Sequence, residues 1–336
     1  MIDIKLLEQL CLCNGISGDE GNVRNLIINE IKDCADDIKT DNLGNLIVFK
    51  KGKKSAKSKL MVSAHMDEVG LMVTDITSDG YLKFDEVGGI DRRVLPGKRV
   101  CVGRNGLNGV IGVKPIHLTN GDEKTAVPKM NDMYIDIGAE SREDALKYVN
   151  YGDGINFEGD FTINGKTVVT KALDDRFGCY VLINLIKSEP EYDMYFTFVV
   201  QEEVGLRGAR PAAFTVNPDF ALVIESTTAA DVAEVDASHQ VCNLSKGATV
   251  TVMDRATVYD KEMISAAFEL AEKNNIAVQY KRAVAGGNDS GAIHQSRGGV
   301  RTLAVSLPSR YIHAPSTAAN LDDCESVLKL AKVLSD

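Results

Sequence analysis

Five short stretches of this 336-residue chain place acidic or imidazole side chains at or near the ends of apolar runs. LMVSAHMDEVG sets His65 and Asp67 two residues apart. In extended backbone, residues i and i+2 share a face, so this pair can offer one imidazole ligand and one carboxylate that orients it. KALDDRFG puts Asp174 and Asp175 at the entry to an apolar helix. There an aspartate can cap the helix and favour its dipole, or bridge two cations. FTFVVQEEVGLRGA carries Glu202 and Glu203 right after a buried strand. Neighbours along a strand point oppositely, so the chain must turn for both to serve one site, one as a metal ligand and the other as a general base. Glu225 closes the apolar run FALVIE, and His313 follows TLAVSLP by a few residues in SLPSRYIHAPS.

Each stretch alone has a plain alternative: a locally satisfied histidine, a helix cap, a solvated strand exit. Together, two imidazoles and several carboxylates at strand ends make a mixed nitrogen–oxygen set. That set suits Zn²⁺, Co²⁺ or Mn²⁺ better than Ca²⁺, which prefers all-oxygen shells. Crowding Glu202 against Glu203 is costly without a cation. No G-x-S-x-G elbow, Walker A loop or HExxH helix occurs, and GRNGLNG lacks the spacing of a dinucleotide fingerprint.

Sites in open α/β sheets gather at strand C-termini, so the surrounding elements must deliver these residues there. Apolar spacing predicts a helix over 2–12. Ser17 and Glu20 read as a capping box that opens a helix to about Cys34. NLIVFK and KLMVSA read as strands, with the basic run Lys50–Lys59 as a solvated loop between them. From about Gly70 to Gly165, short β-rich pieces alternate with glycine turns, and one helix is expected over 142–149, capped by Ser141. From about Thr167 the α/β alternation resumes. It runs through DDRFGCYVLINLIKS, MYFTFVVQ, RGARPAAF, FALVIE, DKEMISAAFELAEKNN and TLAVSLP to a last helix after Asn320. The pattern predicts one catalytic domain from residues 1–69 and 166–336, interrupted by a β-rich insertion over 70–165.

Composition narrows the partners. With 44% apolar and 26% charged residues, the chain is ordinary for a globular enzyme and long enough for two domains. A net charge of −10 disfavours nucleic acid. Seven cysteines without a CxxC pair read as reduced, buried thiols. The N-terminal MIDIKLLEQLCLC lacks the features of a secretory signal, and no apolar run approaches the roughly 20 residues of a membrane helix. A cytoplasmic location is expected, with no membrane association. The chief enzymatic rival is a glycoside hydrolase using paired carboxylates. Without tryptophan and with 6% aromatics, a sugar-stacking platform is poorly supplied, and the histidines would be idle.

In their order, H-x-D, A-L-D-D-R-x-G, E-E-V-G-x-R-G-A, a strand-terminal acid and R-Y-I-H resemble the M42 family of metallo-aminopeptidases, which includes glutamyl, deblocking and tetrahedral aminopeptidases. The resemblance spans essentially the whole chain. It implies a mixed-sheet α/β/α zinc-peptidase-like domain carrying a small inserted β-barrel or PDZ-like domain. It also implies two divalent ions per subunit, Zn²⁺ or Co²⁺ with Mn²⁺ as a third option. Asp174 would bridge them, His65 and Glu225 would complete one site, and Glu203 and His313 the other. Glu202 would be the general base and Asp67 the partner of His65. The Asp174–Asp175 peptide is often cis in related enzymes. Peptide substrates are implied, as is self-association from dimer to dodecamer through the insertion. Many members carry Asp where this chain has Glu225, and often Thr where it has Asn288, a position expected near the substrate pocket. The remaining rival is a non-catalytic assembly protein. It predicts a missing ligand or base, and every expected position is filled.

Overall fold

The computed structural model describes residues 1–336. Helices α1 (Ile4–Leu12) and α2 (Gly21–Ile31) precede strands β1 (Asp37–Thr40), β2 (Leu46–Lys50) and β3 (Leu60–His65). Next come β4 (Gly70–Ile76), β5 (Leu82–Val87), β6 (Arg99–Val102), β7 (Leu107–Gly112), β8 (Tyr134–Asp136), α3 (Arg142–Ala145) and β9 (Gly154–Phe157). The chain continues through β10 (Thr162–Asn164), β11 (Thr167–Thr170), α4 (Leu173–Lys187), β12 (Met194–Val199), α5 (Ala209–Val216), β13 (Phe220–Thr228) and β14 (Ala248–Val250). It ends with α6 (Lys261–Lys273), β15 (Val278–Tyr280), α7 (Ser290–Ile293), β16 (Arg301–Arg310), β17 (Thr317–Asn320) and α8 (Leu321–Ser335).

The long apolar runs form the middle of one 11-stranded mixed sheet, ordered β1-β2-β12-β3-β13-β16-β17-β11-β10, with β14 on β16 and β15 on β14. Its central strands β12, β3, β13 and β16 are parallel. The strands beyond them on the main path, β2 on one side and β17 on the other, run antiparallel to their neighbours. Parallel pairing puts four C-terminal ends along one edge. Val199 lies opposite His65, and Val223 lies opposite Ser63, so His65 and Glu225, two residues on from Ser63 and Val223, stand at one level.

Both faces of the sheet are covered, which is why these strands are continuous apolar runs rather than alternating ones. On β13, Leu222 and Ile224 join a core with α1, α2, α4 and α8, whereas Ala221 and Val223 join a second core with α5 and α7. Helix α4 is buried on nearly every side, accounting for the unbroken apolar stretch of FGCYVLINLI.

Strands β4-β5-β8-β7-β6-β9 close into an antiparallel barrel around Leu71, Val73, Val100, Val102, Ile111, Ile135, Ile155 and Phe157. Closure leaves no unpaired edge. A Cβ at Gly70, where β4 begins, would stand 2.2 Å from the Ile16 side chain and 2.8 Å from the Ile155 carbonyl oxygen. Only glycine fits there. The last barrel strand ends at Phe157, and β10 already pairs with β11 in the large sheet.

Several local expectations change. The Ser17–Glu20 capping box does not form: α2 starts at Gly21 with no side-chain cap. The Ser17 hydroxyl instead donates to Asp67, and Glu20 accepts from the amides of Gly18 and Gln201. Helix α3 keeps its Ser141 cap but its regular part stops at Ala145 rather than 149, and the chain goes on in tighter turns in which the Lys147 and Tyr148 amides bond three residues back. Strand β13 runs three residues past Glu225, and β16 reaches Arg310. All seven cysteines are free, and no helix is long and apolar enough to cross a membrane.

Candidate metal centre

His65 is the last residue of β3 and its ring is buried. Nδ1 lies 3.0 Å from the Asp67 carbonyl oxygen and 3.5 Å from Asp67 Oδ1. Because a carbonyl can only accept, the ring proton belongs on Nδ1 and Nε2 is left with its lone pair. Nε2 points at Asp174 Oδ1 (3.3 Å) and Glu225 Oε1 (3.4 Å), with Glu202 Oε2 at 4.0 Å.

The Asp174–Asp175 peptide is cis, and both residues depart from helical geometry inside α4. The two side chains point to different partners. Asp175 turns inward to accept from the amides of His65 (3.3 Å) and Gly178 (2.9 Å). A Cβ at Gly178 would lie 2.2 Å from Asp175 Oδ2, which explains the glycine in DDRFG. Asp174 faces the strand ends with its two oxygens divided: Oδ1 toward His65, and Oδ2 toward His313 Nε2 at 3.3 Å.

After β12, Gln201 takes a left-handed φ of +56°, the turn needed for two adjacent glutamates to reach one site. Glu203 Oε2 sits 3.2 Å from His313 Nε2. The amides of Glu202 and Glu203 donate to Asp67 Oδ1 (3.0 Å) and Oδ2 (3.1 Å). Asp67 thus fixes this turn as well as His65. His313 lies three residues past β16 with φ +57°, its side chain 40% exposed.

Three donor sets fall within 4.8 Å: His65–Asp174–Glu225, Asp174–Glu203–His313 and His65–Glu202–Glu203. The electrostatics ask for cations. Burial, reinforced by Asp174, pushes Glu203 up to about 8, and burial with the same neighbour pushes Glu225 up to about 7. Burial, then Glu225 and Asp289, raises Glu202 well above its ordinary value. Burial opposes charge on His313, yet Asp174 and Glu203 lift it to about 9. Burial likewise opposes charge on His65, and Glu225, Asp174 and Asp67 override it. Like-charged carboxylates at this density ionise together only against positive charge. The nitrogen–oxygen donor chemistry and the two separate faces of Asp174 fit a pair of divalent ions.

The geometry therefore gathers His65, Asp67, Asp174, Glu202, Glu203, Glu225 and His313 into one cluster. Sequence reasoning gave no site role to Ser17, Cys179 or Asp289 around it, and read Asp175 only as one of a pair that could cap a helix or bridge cations. Ser17 Oγ is 2.6 Å from Asp67 Oδ2, the Cys179 thiol lies 3.1 Å from the His65 carbonyl oxygen, and Asp175 braces the His65 amide. Asp289 is 1% exposed, with neither carboxylate oxygen hydrogen-bonded, and burial raises it to about 8. Its N-D-S setting before α7 looks like an ordinary helix cap, so no sequence signal marks it. The Asn288 side chain bonds to the Tyr259 hydroxyl and the Ser290 amide.

A family model described as M42 glutamyl aminopeptidase matches residues 44–330. The chain belongs to the M42 peptidase family. It is 34% identical to the lysyl aminopeptidase of Pyrococcus furiosus, over 99% of this chain and 97% of that protein. The TET1 peptidase of Pyrococcus horikoshii, described as assembling into a tetrahedron or a large octahedral shell, superposes with a TM-score of 0.88 at 40% identity, covering 99% of this chain and 98% of that one. A Thermotoga maritima protein described as an endoglucanase superposes with a TM-score of 0.83 at 39% identity, covering 98% of this chain and 96% of that one. M42 aminopeptidases are metal-dependent peptide hydrolases, and this chain is a peptidase of that family with a cluster able to hold metal.

Metal uptake should release protons. Ligation needs Glu225, Glu203 and His313 unprotonated, and these groups sit at about 7, 8 and 9. Raising the pH from 7 to 9 should therefore tighten divalent-ion binding. Calorimetric titration of the metal-free protein in buffers of different ionisation enthalpy checks this. Buffer-independent heats and a pH-independent affinity would contradict it.

Proposed function

We propose that the protein is a dinuclear metal-dependent aminopeptidase that removes N-terminal residues from peptides. The observation that carries this reading is the division of Asp174 between two donor sets, Oδ1 toward His65 and Oδ2 toward His313. On this reading His65, Glu225 and Asp174 hold one ion, and Glu203, His313 and Asp174 hold the second, with Zn²⁺ or Co²⁺ favoured over Mn²⁺. A divalent ion bound there supplies Lewis acidity, polarising a carbonyl and making a water acidic near neutral pH.

The remaining work falls to the protein. Glu202, buried and raised in pKa, accepts a proton from the attacking water and passes it to the leaving amine nitrogen. Asp67 holds His65 in the tautomer that frees Nε2 and, through two amide bonds, fixes the direction of Glu202. The carboxylate-rich wall gives a free N-terminal ammonium a counter-charge, favouring exopeptidase action. Glycoside hydrolysis leaves both imidazoles without a role and lacks tryptophan for sugar stacking.

Residues 70–165 are proposed as an inserted module for self-association, in keeping with the assembly described for the Pyrococcus horikoshii peptidase. Seven free thiols fit a reducing, cytoplasmic setting.

Glu202→Gln should keep both ions by elemental analysis while kcat on aminoacyl p-nitroanilides falls about 10²–10⁴-fold. Wild type should lose that activity to chelator and leave carboxymethyl-cellulose uncut. Turnover retained by Glu202→Gln would remove it as the base. Light scattering at micromolar concentration should report a dimer or larger; a monomer would overturn the assembly reading.

A further inference from the structure

The motif that failed to cap α2 is used elsewhere. Ser17 and Glu20 are each 4% exposed; Glu20 bonds the turn that carries Glu202 and Glu203 directly, and Ser17 acts on it through Asp67. Glu20 Oε1 accepts from the amides of Gly18 (2.7 Å) and Gln201 (3.1 Å). Ser17 Oγ donates to Asp67 Oδ2 (2.6 Å), and Asp67 takes the amides of Glu202 and Glu203. Three consecutive amides, 201 to 203, thus end on two carboxylates that one short segment holds. Successive N–H groups converging on anions form a nest, whose shape depends on the anions being fixed.

The segment itself is anchored from three sides. The Gly15 amide donates to Asn156 Oδ1 in the barrel strand β9 (3.1 Å). The Gly15 carbonyl accepts from the Glu68 amide (3.0 Å) and from Arg176 (3.1 Å). Asn14 Oδ1 accepts from Lys171 Nζ (3.0 Å). It therefore touches the barrel, the segment after His65 and the segment around Asp174. Gln201 needs such support, because a non-glycine residue in the left-handed region is strained and persists only where neighbours over-determine it.

We propose that Ser17 and Glu20 are positioning residues for the reaction: they hold the 201–203 turn so that Glu202 faces the attacking water while Glu203 faces the opposite donor set. The proposal rests on Glu202 acting as the base. Neither residue reaches the reacting atoms, so their loss is read as turnover per metal-loaded site, because the same turn also carries Glu203. A capping role would have left turnover untouched.

The test uses metal-loaded wild type, Glu20→Ala, Glu20→Gln and Ser17→Ala. Gln keeps an oxygen that can accept from Gln201, whereas Ala does not. Glu20→Ala and Ser17→Ala should each lower kcat about ten-fold per folded, metal-loaded site, with KM close to wild type. Glu20→Gln should recover most of the kcat. Equal losses in Ala and Gln, an unchanged kcat, or losses that follow metal content or folded fraction would overturn the proposal. A crystal structure of Glu20→Ala adds a readout that needs no turnover. Gln201 should leave the left-handed region, and an unmoved turn would overturn the clamp. Wild type without chelator-sensitive peptidase activity would instead count against the metal-dependent aminopeptidase reading on which the proposal rests.

Discussion

Seven carboxyl groups, those of Asp67, Asp174, Asp175, Glu202, Glu203, Glu225 and Asp289, crowd around the imidazoles of His65 and His313, and nearly all are buried. Taking one ion out of water costs several kcal/mol, so such a cluster exists only where something offsets it. Within the protein the offset is partial. Asp67 is held below its ordinary value, against its own burial, by His65, Ser17 and the Glu202 amide, and the two imidazoles hold Asp174 down. Glu202, Glu203, Glu225 and Asp289 are left raised. That residue of uncompensated charge is what two divalent ions would neutralise.

The scaffold is arranged around this constraint. Four parallel strands bring residues from positions 65 to 313 to one sheet edge at matched level. Beneath them, Arg176 is completely buried and donates to the carbonyls of Leu10, Cys13, Gly15 and Met66 and to Glu68. Lys171 closes on both oxygens of Glu68, at 2.7 and 3.0 Å. These cations stand one to three residues from the paired aspartates, so the segment bearing Asp174 and the segment bearing His65 are locked by charge-assisted bonds rather than by apolar packing alone. Ala172, Gln201 and His313, each at or within two residues of a site residue, adopt left-handed backbone, local strain that the surrounding bonds must hold.

Much of this was legible in the sequence, and the boundary is physical. His65, Glu203 and Glu225 are legible because a polar group at the end of a long apolar run conflicts with burial unless a site uses it, whereas Asp174, at a helix entry, is told from a cap only by the set as a whole. The long strands β3, β12, β13 and β16 show the same way. Strands of three or four residues, such as β1, β10, β14, β15 and β17, carry too little periodicity to read. Ser17 with Glu20 was misread because the same two residue types serve a helix cap and a buried clamp equally well, and only tertiary contact with Asp67 and Gln201 decides. Asp289 was invisible for the same reason: its setting resembles a cap, while its carboxylate lies buried without a partner.

The central claim is that Asp174 is shared by two ions. Anomalous diffraction at the metal absorption edge, on crystals grown with Zn²⁺ or Co²⁺, tests it directly. The account predicts two peaks about 3.5–4 Å apart, one beside Oδ1 with His65 and Glu225, the other beside Oδ2 with Glu203 and His313. A single peak, or two peaks that do not share Asp174, would contradict it.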